Sequence, residues 1–237
     1  MKLFLLLSGM ALCGALLMAC EHRVHAQPAN VRRRGWLKYF VYLVYVGAMV
    51  SVRWWGWWPA VVAAGLLGTA ASVEVVRLLR SRPLVATGLV SLVLVGLAHL
   101  LLLDRSPWSD VLLLIAAADS FAQLIGRLFG RHQLCPTISP GKTVEGFVGG
   151  VAAAVALAVA MTFLWPEKAM GTSLLLGACT ALAATSGDLF FSWIKRRSQV
   201  KDFSSAIPGH GGFLDRIDSL VFAAPAFYWV ARAVSGS

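Results

Sequence analysis

Residues 84–103 read LVATGLVSLVLVGLAHLLLL, a run with no Asp, Glu, Lys or Arg and with His99 as its one titratable side chain. An α-helix of about 20 residues rises about 30 Å, the thickness of a bilayer's hydrocarbon core. Arg82 and Pro83 bound the run on one side and Asp104 and Arg105 on the other, as the ends of a spanning helix require. Similar apolar runs lie near 3–20, 36–52, 57–76, 109–126, 144–165, 170–191 and 218–234. The expected fold is therefore all-α, a polytopic membrane protein with about eight transmembrane helices. Composition agrees, because 58% of the 237 residues are hydrophobic and 14% are charged, against about half and about a quarter in a soluble domain. That balance excludes disordered, collagenous and disulfide-scaffold chains. Cys13, Cys20, Cys135 and Cys179 form no CxxC pair, so neither a disulfide framework nor a zinc site is expected.

The net charge of +10 could mark a nucleic-acid binder in a soluble protein, but here its distribution has a simpler cause. Sixteen of the 21 Lys and Arg residues follow spans one, three, five and seven. They are Arg23, Arg32, Arg33, Arg34 and Lys38; then Arg77, Arg80 and Arg82; then Arg127, Arg131 and Lys142; and last Lys195, Arg196, Arg197, Lys201 and Arg216. The positive-inside rule puts those connections in the cytoplasm and both termini outside. No nucleic-acid partner is called for. Met1–Cys20 also has the basic start and apolar run of a secretory or lipoprotein signal. Cleavage there would leave five basic residues outside, so a retained first span is the expectation. Trp54, Trp55, Trp57 and Trp58, with Pro59, read as an interfacial belt at a turn.

Ionisable groups inside spans are costly and mark cavities, partners or sites. Asp119 and Asp188 interrupt apolar runs without a basic neighbour at helical spacing. Glu74 precedes Arg77 by one turn and reads as an interfacial ion pair, and His99 as a hydrogen-bonded packing histidine.

Chemistry concentrates in two long connections, roughly 127–143 and 192–217. The first contains Gly126, Gly130, Pro136, Ser139-Pro140-Gly-Lys142-Thr143 and Glu145-Gly146, a mixture that breaks a helix and can wrap phosphate oxygens. Gly141-Lys142-Thr143 is not a P-loop, because the required earlier glycine position holds Pro136. In the second, Asp188, Ser192 and Lys195 share one helical face, as do Asp215 and Asp218. Paired carboxylates suit a hard cation such as Mg²⁺. The glycines around His210 admit close backbone approach to a ligand. A metal between carboxylates, ringed by Lys and Arg, equips a site for phosphoryl or nucleotidyl transfer, and its position at a membrane surface points to a lipid substrate.

These residues resemble the phosphatidate cytidylyltransferases (CDP-diacylglycerol synthases). The family signature appears as Ser192-Trp-Ile-Lys195-Arg196, Lys201-Asp202, Pro208-Gly-His210-Gly211-Gly212 and Asp215-Arg216-Ile-Asp218. Upstream, Asp119, Gly126, Gly130, the 139–146 block and Gly187-Asp188 match as well. The specific likeness covers about 119–219. It divides the chain into N-terminal transmembrane helices over 1–110, matched only as apolar spans, and a catalytic transmembrane region over 111–237. Two departures stand out: Phe191 where the family usually has an acidic residue, and Ser204-Ser205 where Gly often follows Lys-Asp.

The resemblance implies an enzyme of the inner membrane with its site facing the cytoplasm, converting CTP and phosphatidate to CDP-diacylglycerol and pyrophosphate. It implies Asp188, Asp215 and Asp218 as ligands of Mg²⁺, with a monovalent cation such as K⁺ also associated with the family. It implies Lys195, Lys201 and Arg216 as catalytic cations, and Ser139, Lys142, Thr143, Ser192, Arg196, His210, Gly211 and Gly212 as substrate contacts. Asp119, Glu145 and Asp202 are further candidates. A homodimer fits the family and the small residues of 146–160. Other readings are a CTP-using polyprenol kinase, an archaeol-type cytidylyltransferase, an inactive relative motivated by Phe191, and a transporter, for which the chain lacks visible inverted repeats.

Overall fold

A computed structural model describes residues 8–9, 11–16, 18–20, 29–164, 169–207 and 211–235. Its helices are α1 (Ala29–Trp55), α2 (Trp57–Leu78), α3 (Pro83–Leu101), α4 (Arg105–Phe129), α5 (Val144–Leu164), α6 (Met170–Arg197) and α7 (Leu214–Ser235). Each contains a stretch long and apolar enough to cross a membrane. The protein is thus an all-α, multi-pass membrane protein, with seven such helices among the described residues. The expected span at 3–20 falls partly outside those residues; a shorter apolar helix covers Ala11–Cys20.

The bundle is apolar outside as well as inside. Leu84, Phe163 and Leu66 are among its most exposed side chains, an arrangement that water would penalise and lipid does not. Inside, one core joins residues from α2 through α7, including Val75, Val93, Trp108, Ala154, Phe191 and Phe227. In lipid, close van der Waals packing must supply what the hydrophobic effect supplies in water. Small residues provide it where α4 meets α5: a Cβ on Gly150 would stand 2.6 Å from the Ala118 carbonyl oxygen. Where α3 crosses α7, a Cβ on Gly96 would stand 2.7 Å from the Val221 backbone.

At one end of the bundle, Gly56 at φ 148 turns the chain from α1 into α2. The Trp54 indole donates to the Ser109 hydroxyl at 3.0 Å, Arg53 lies over the Trp57 ring, and Trp55 and Trp58 remain exposed. His99 is hydrogen-bonded as expected: Nδ1 donates to the Val95 carbonyl at 2.8 Å, and Nε2 accepts from the Trp229 indole at 3.1 Å.

The opposite end carries the two long connections. Between α4 and α5, where Gly and Pro break the helix, the chain forms a short antiparallel hairpin, β1 (Gln133–Cys135) and β2 (Ser139–Thr143). Thr143 ends the hairpin and starts α5, its hydroxyl accepting the Gly146 amide at 3.1 Å as an N-cap. The α6 helix runs unbroken from the membrane to Arg197, beyond the expected limit near 191, so Asp188, Ser192 and Lys195 do share one rigid element.

The close approach of α4 and α5 makes a test. Gly150→Ala should lower the detergent-solubilised protein's stability by about 1–3 kcal/mol, because backbone must shift. Gly88→Ala, whose Cβ meets nothing within 4 Å, should be neutral or stabilise by up to about 1 kcal/mol. Thermal unfolding of the two variants reads the difference in sign.

Candidate active site

Four carboxylates and two ammonium groups meet where the β1–β2 hairpin, α4, α6 and α7 come together. Lys142 of β2 pairs with Asp188 of α6 at 2.5 Å. The Ser192 hydroxyl, one turn on, donates to the other Asp188 oxygen at 3.2 Å. Lys195 does not turn to Asp188 on its own helix. It reaches across to α7, 2.7 Å from Asp215 Oδ1 and 3.9 Å from Asp218 Oδ2. Asp119 of α4 accepts from the Ser219 hydroxyl at 3.3 Å.

The backbone allows this crowding. A Cβ on Gly187 would stand 2.7 Å from the Asp218 carbonyl oxygen, so glycine lets α6 and α7 touch beside the carboxylates. Gly211 has φ +80, a conformation that favours glycine, and a Cβ there would stand 2.9 Å from Asp215 Oδ2. The Ile207 amide donates to the Gly211 carbonyl at 2.8 Å. Pro208 and the expected contact His210 lie outside the described residues.

Asp215, one of the expected metal ligands, is bonded at both oxygens in this arrangement. Oδ1 is taken by Lys195, and Oδ2 accepts the Phe203 amide at 3.0 Å and the Gly212 amide at 2.8 Å. Its side chain is 4% exposed. Both oxygens are committed to holding α6, α7 and the loop between them. Asp188 is likewise engaged at both oxygens, by Lys142 and Ser192, and Asp218 Oδ1 accepts the Ser219 amide at 2.8 Å.

Hard oxygen donors with surplus negative charge match the chemistry a divalent cation requires. Among the described residues no three His, Cys, Asp or Glu side chains converge into a ready coordination sphere; Lys142 and Lys195 supply the positive charge instead.

The remaining expected residues take up three places. Arg196, Lys201, Asp202 and Arg216 are exposed at the rim, and Arg196 Nε donates to the Ile138 carbonyl at 3.1 Å, tethering the hairpin turn to α6. Ser139 is half-buried on β2, paired across the hairpin with Cys135. Glu145 at the hairpin base accepts the Arg131 and His132 amides and contacts His132 Nδ1 at 2.6 Å. Phe191 is fully buried among Phe190, Phe203 and Phe222, so the aromatic ring standing in for the family's acid joins the core.

Beside the carboxylates, a cavity of about 120 Å³ runs between α1, α4 and α7. Its polar end is formed by Asp119, Asp215, Arg216 and Asp218, and its apolar lining includes Val46, Met49, Leu112 and Ile115. Tyr42 and Tyr45 line it too, their hydroxyls donating to the carbonyls of Ala116 and Arg216, each at 3.3 Å. Sequence reasoning missed both. A usable signal was present in retrospect: they are polar tips at i, i+3 spacing within the otherwise apolar stretch 40–50.

Residues 110–234, just over half of the chain, match the family model described as the cytidylyltransferase family. The chain belongs to the cytidylyltransferase family. Among its relatives, the phosphatidate cytidylyltransferase of Haemophilus influenzae is 44% identical over 122 residues, 49% of this chain and 42% of that protein. The phosphatidate cytidylyltransferase of Aquifex aeolicus is 47% identical over 115 residues, 48% of this chain and 43% of the relative. An uncharacterized protein of Escherichia coli, YnbB, is 42% identical over 126 residues, 52% of this chain and 42% of its own. The aligned segment thus spans less than half the length of each of these relatives.

Breaking a buried ion pair from one side leaves an uncompensated charge and costs about 3–5 kcal/mol. Asp215→Ala and Lys195→Met should each show a loss of that size in thermal unfolding. The double variant should lose less than the sum, with an interaction energy of about 0.5–3 kcal/mol.

Proposed function

We propose that the chain transfers the cytidylyl group of CTP to phosphatidate, forming CDP-diacylglycerol and pyrophosphate at the cytoplasmic face of the inner membrane. The observation that carries this is the meeting of Lys142–Asp188 and Lys195–Asp215–Asp218 at one end of a membrane-spanning bundle, beside a cavity with a carboxylate mouth and an apolar lining. Relatives named phosphatidate cytidylyltransferase align over the same segment, and the basic connections at that end fit a cytoplasmic orientation.

In the reaction a lipid phosphate oxygen attacks the α-phosphorus of CTP, and the bond from that phosphorus to the pyrophosphate oxygen breaks. The lipid phosphate is already anionic, so its activation needs no strong base. What the protein must supply is position and charge. Lys142 and Lys195, now held by carboxylates, are the cations a triphosphate would draw on. Arg196, Lys201 and Arg216 at the rim extend that positive field toward both phosphates. Asp188, Asp215 and Asp218, with Asp119, are the residues that would hold a divalent cation, and Asp215 also fixes the loop. A bound Mg²⁺ would supply Lewis acidity and neutralise phosphate charge. The cavity between α1, α4 and α7 gives a lipid acceptor apolar surface next to those groups.

The experiment is turnover by the purified chain in phosphatidate-containing micelles, with Mg²⁺ or with EDTA. Lipid-linked cytidine and pyrophosphate are expected with Mg²⁺ alone. Asp188→Ala and Asp218→Ala should reduce turnover by about 100-fold or more while the protein still inserts and purifies. Transfer to a lipid alcohol with release of nucleoside diphosphate would overturn this reading in favour of a lipid kinase, and near-normal turnover in Asp188→Ala would overturn the site.

A further inference from the structure

Glu74 lies on α2, outside the matched segment 110–234, and is 6% exposed. Both of its carboxylate oxygens are in use. Oε1 accepts from the Ser204 hydroxyl at 2.6 Å and from the Phe213 amide at 2.9 Å, and Oε2 accepts from the Leu214 amide at 2.9 Å. Its spacing from Arg77 predicts an ion pair one turn on; the structure instead gives its carboxylate three donors from one distant segment.

That segment is the loop carrying the second half of the signature. Phe213 ends it and Leu214 begins α7, so these amides belong to the group that a helix start leaves without intrahelical partners. A carboxylate there satisfies them and sits favourably against the helix dipole. Gly212 gives it room, since a Cβ at 212 would fall 2.6 Å from Glu74. A carboxylate shielded from water is costly unless its oxygens are satisfied, and three donors meet that condition. The loop is therefore held from two sides. Asp215 takes the amides of Phe203 and Gly212, and Glu74 takes Ser204, Phe213 and Leu214.

We infer that Glu74 is a positioning residue for cytidylyl transfer: it anchors the 203–214 loop to α2 and so sets where Lys201, Asp215 and Asp218 stand. The inference rests on the function proposed above. Glu74 touches neither substrate; it acts through the loop and the first turn of α7. It also ties the N-terminal helices, outside the family match, to the chemistry of the C-terminal half.

The test compares the wild-type chain with Glu74→Gln and Ser204→Ala in phosphatidate micelles, by steady-state kinetics and by amide hydrogen exchange. Hydrogen bonds to a charged group set the expected size: Glu74→Gln should raise exchange in peptides covering 203–214 about tenfold or more and lower kcat by a similar factor. The KM for phosphatidate should stay within about twofold of wild type, because the lipid contacts are intact. Ser204→Ala removes one of the three bonds to Glu74, along with the Ala206 amide's bond to the Ser204 hydroxyl, and should move kcat, and exchange at the Phe213 and Leu214 amides, the same way by about two- to fivefold. It carries the test alone if Glu74→Gln does not fold. Unchanged exchange, or wild-type kcat despite raised exchange, overturns the inference. A wild type that makes no CDP-diacylglycerol overturns the function on which it rests, a result distinct from an active wild type with an equally active Glu74→Gln.

Discussion

The contact between Lys195 and Asp215 is the constraint around which this end of the molecule is arranged. Their side chains are 10% and 4% exposed and their charged atoms 2.7 Å apart. A pair this shielded costs desolvation and survives only with further hydrogen bonds. Asp215 has them, from the Phe203 and Gly212 amides, and Lys195 also lies near Asp218 and over the Phe203 ring. One interaction thereby joins the end of α6, the start of α7 and both ends of the loop between them.

The bilayer explains why the site lies where it does. Spanning segments must satisfy their backbone internally, and irregular backbone is tolerated only where protein or a watered cavity covers it. The hairpin and the 198–213 loop meet that demand at the end of the bundle, tied down by Arg196 to Ile138, Lys142 to Asp188 and Glu74 to the start of α7. The charged groups then sit at that end of the bundle, next to the exposed Arg196, Lys201 and Arg216. The apolar cavity below them joins that surface to the bundle interior.

Much of this was legible in the sequence because it depends on local period and composition. Uninterrupted apolar runs identify the helices, and the spacing of Asp188, Ser192 and Lys195 places them on one face, which the unbroken α6 bears out. The partners across elements were not legible. Nothing in the spacing says that Lys142 meets Asp188, that Lys195 prefers Asp215 to Asp188, or that Glu74 caps a helix 140 residues away. Those contacts depend on how helices cross, which is set by glycines such as Gly96, Gly150 and Gly187 whose meaning appears only when the opposing backbone is known. The hairpin was missed for a related reason. It is short, rich in Pro and Gly, and stabilised by contacts with Glu145, Arg196 and Asp188 rather than by strand propensity.

The central claim is that the carboxylate–lysine cluster is where the nucleotide's phosphates bind. Equilibrium binding of CTP with Mg²⁺ to the detergent-purified chain tests it most directly, with Asp188→Asn and Lys142→Gln beside the wild type. The account predicts saturable binding by the wild type, weakened by about tenfold or more in each variant as a charge-assisted contact is lost. Equal affinity in all three proteins would contradict it and place the nucleotide elsewhere on the molecule.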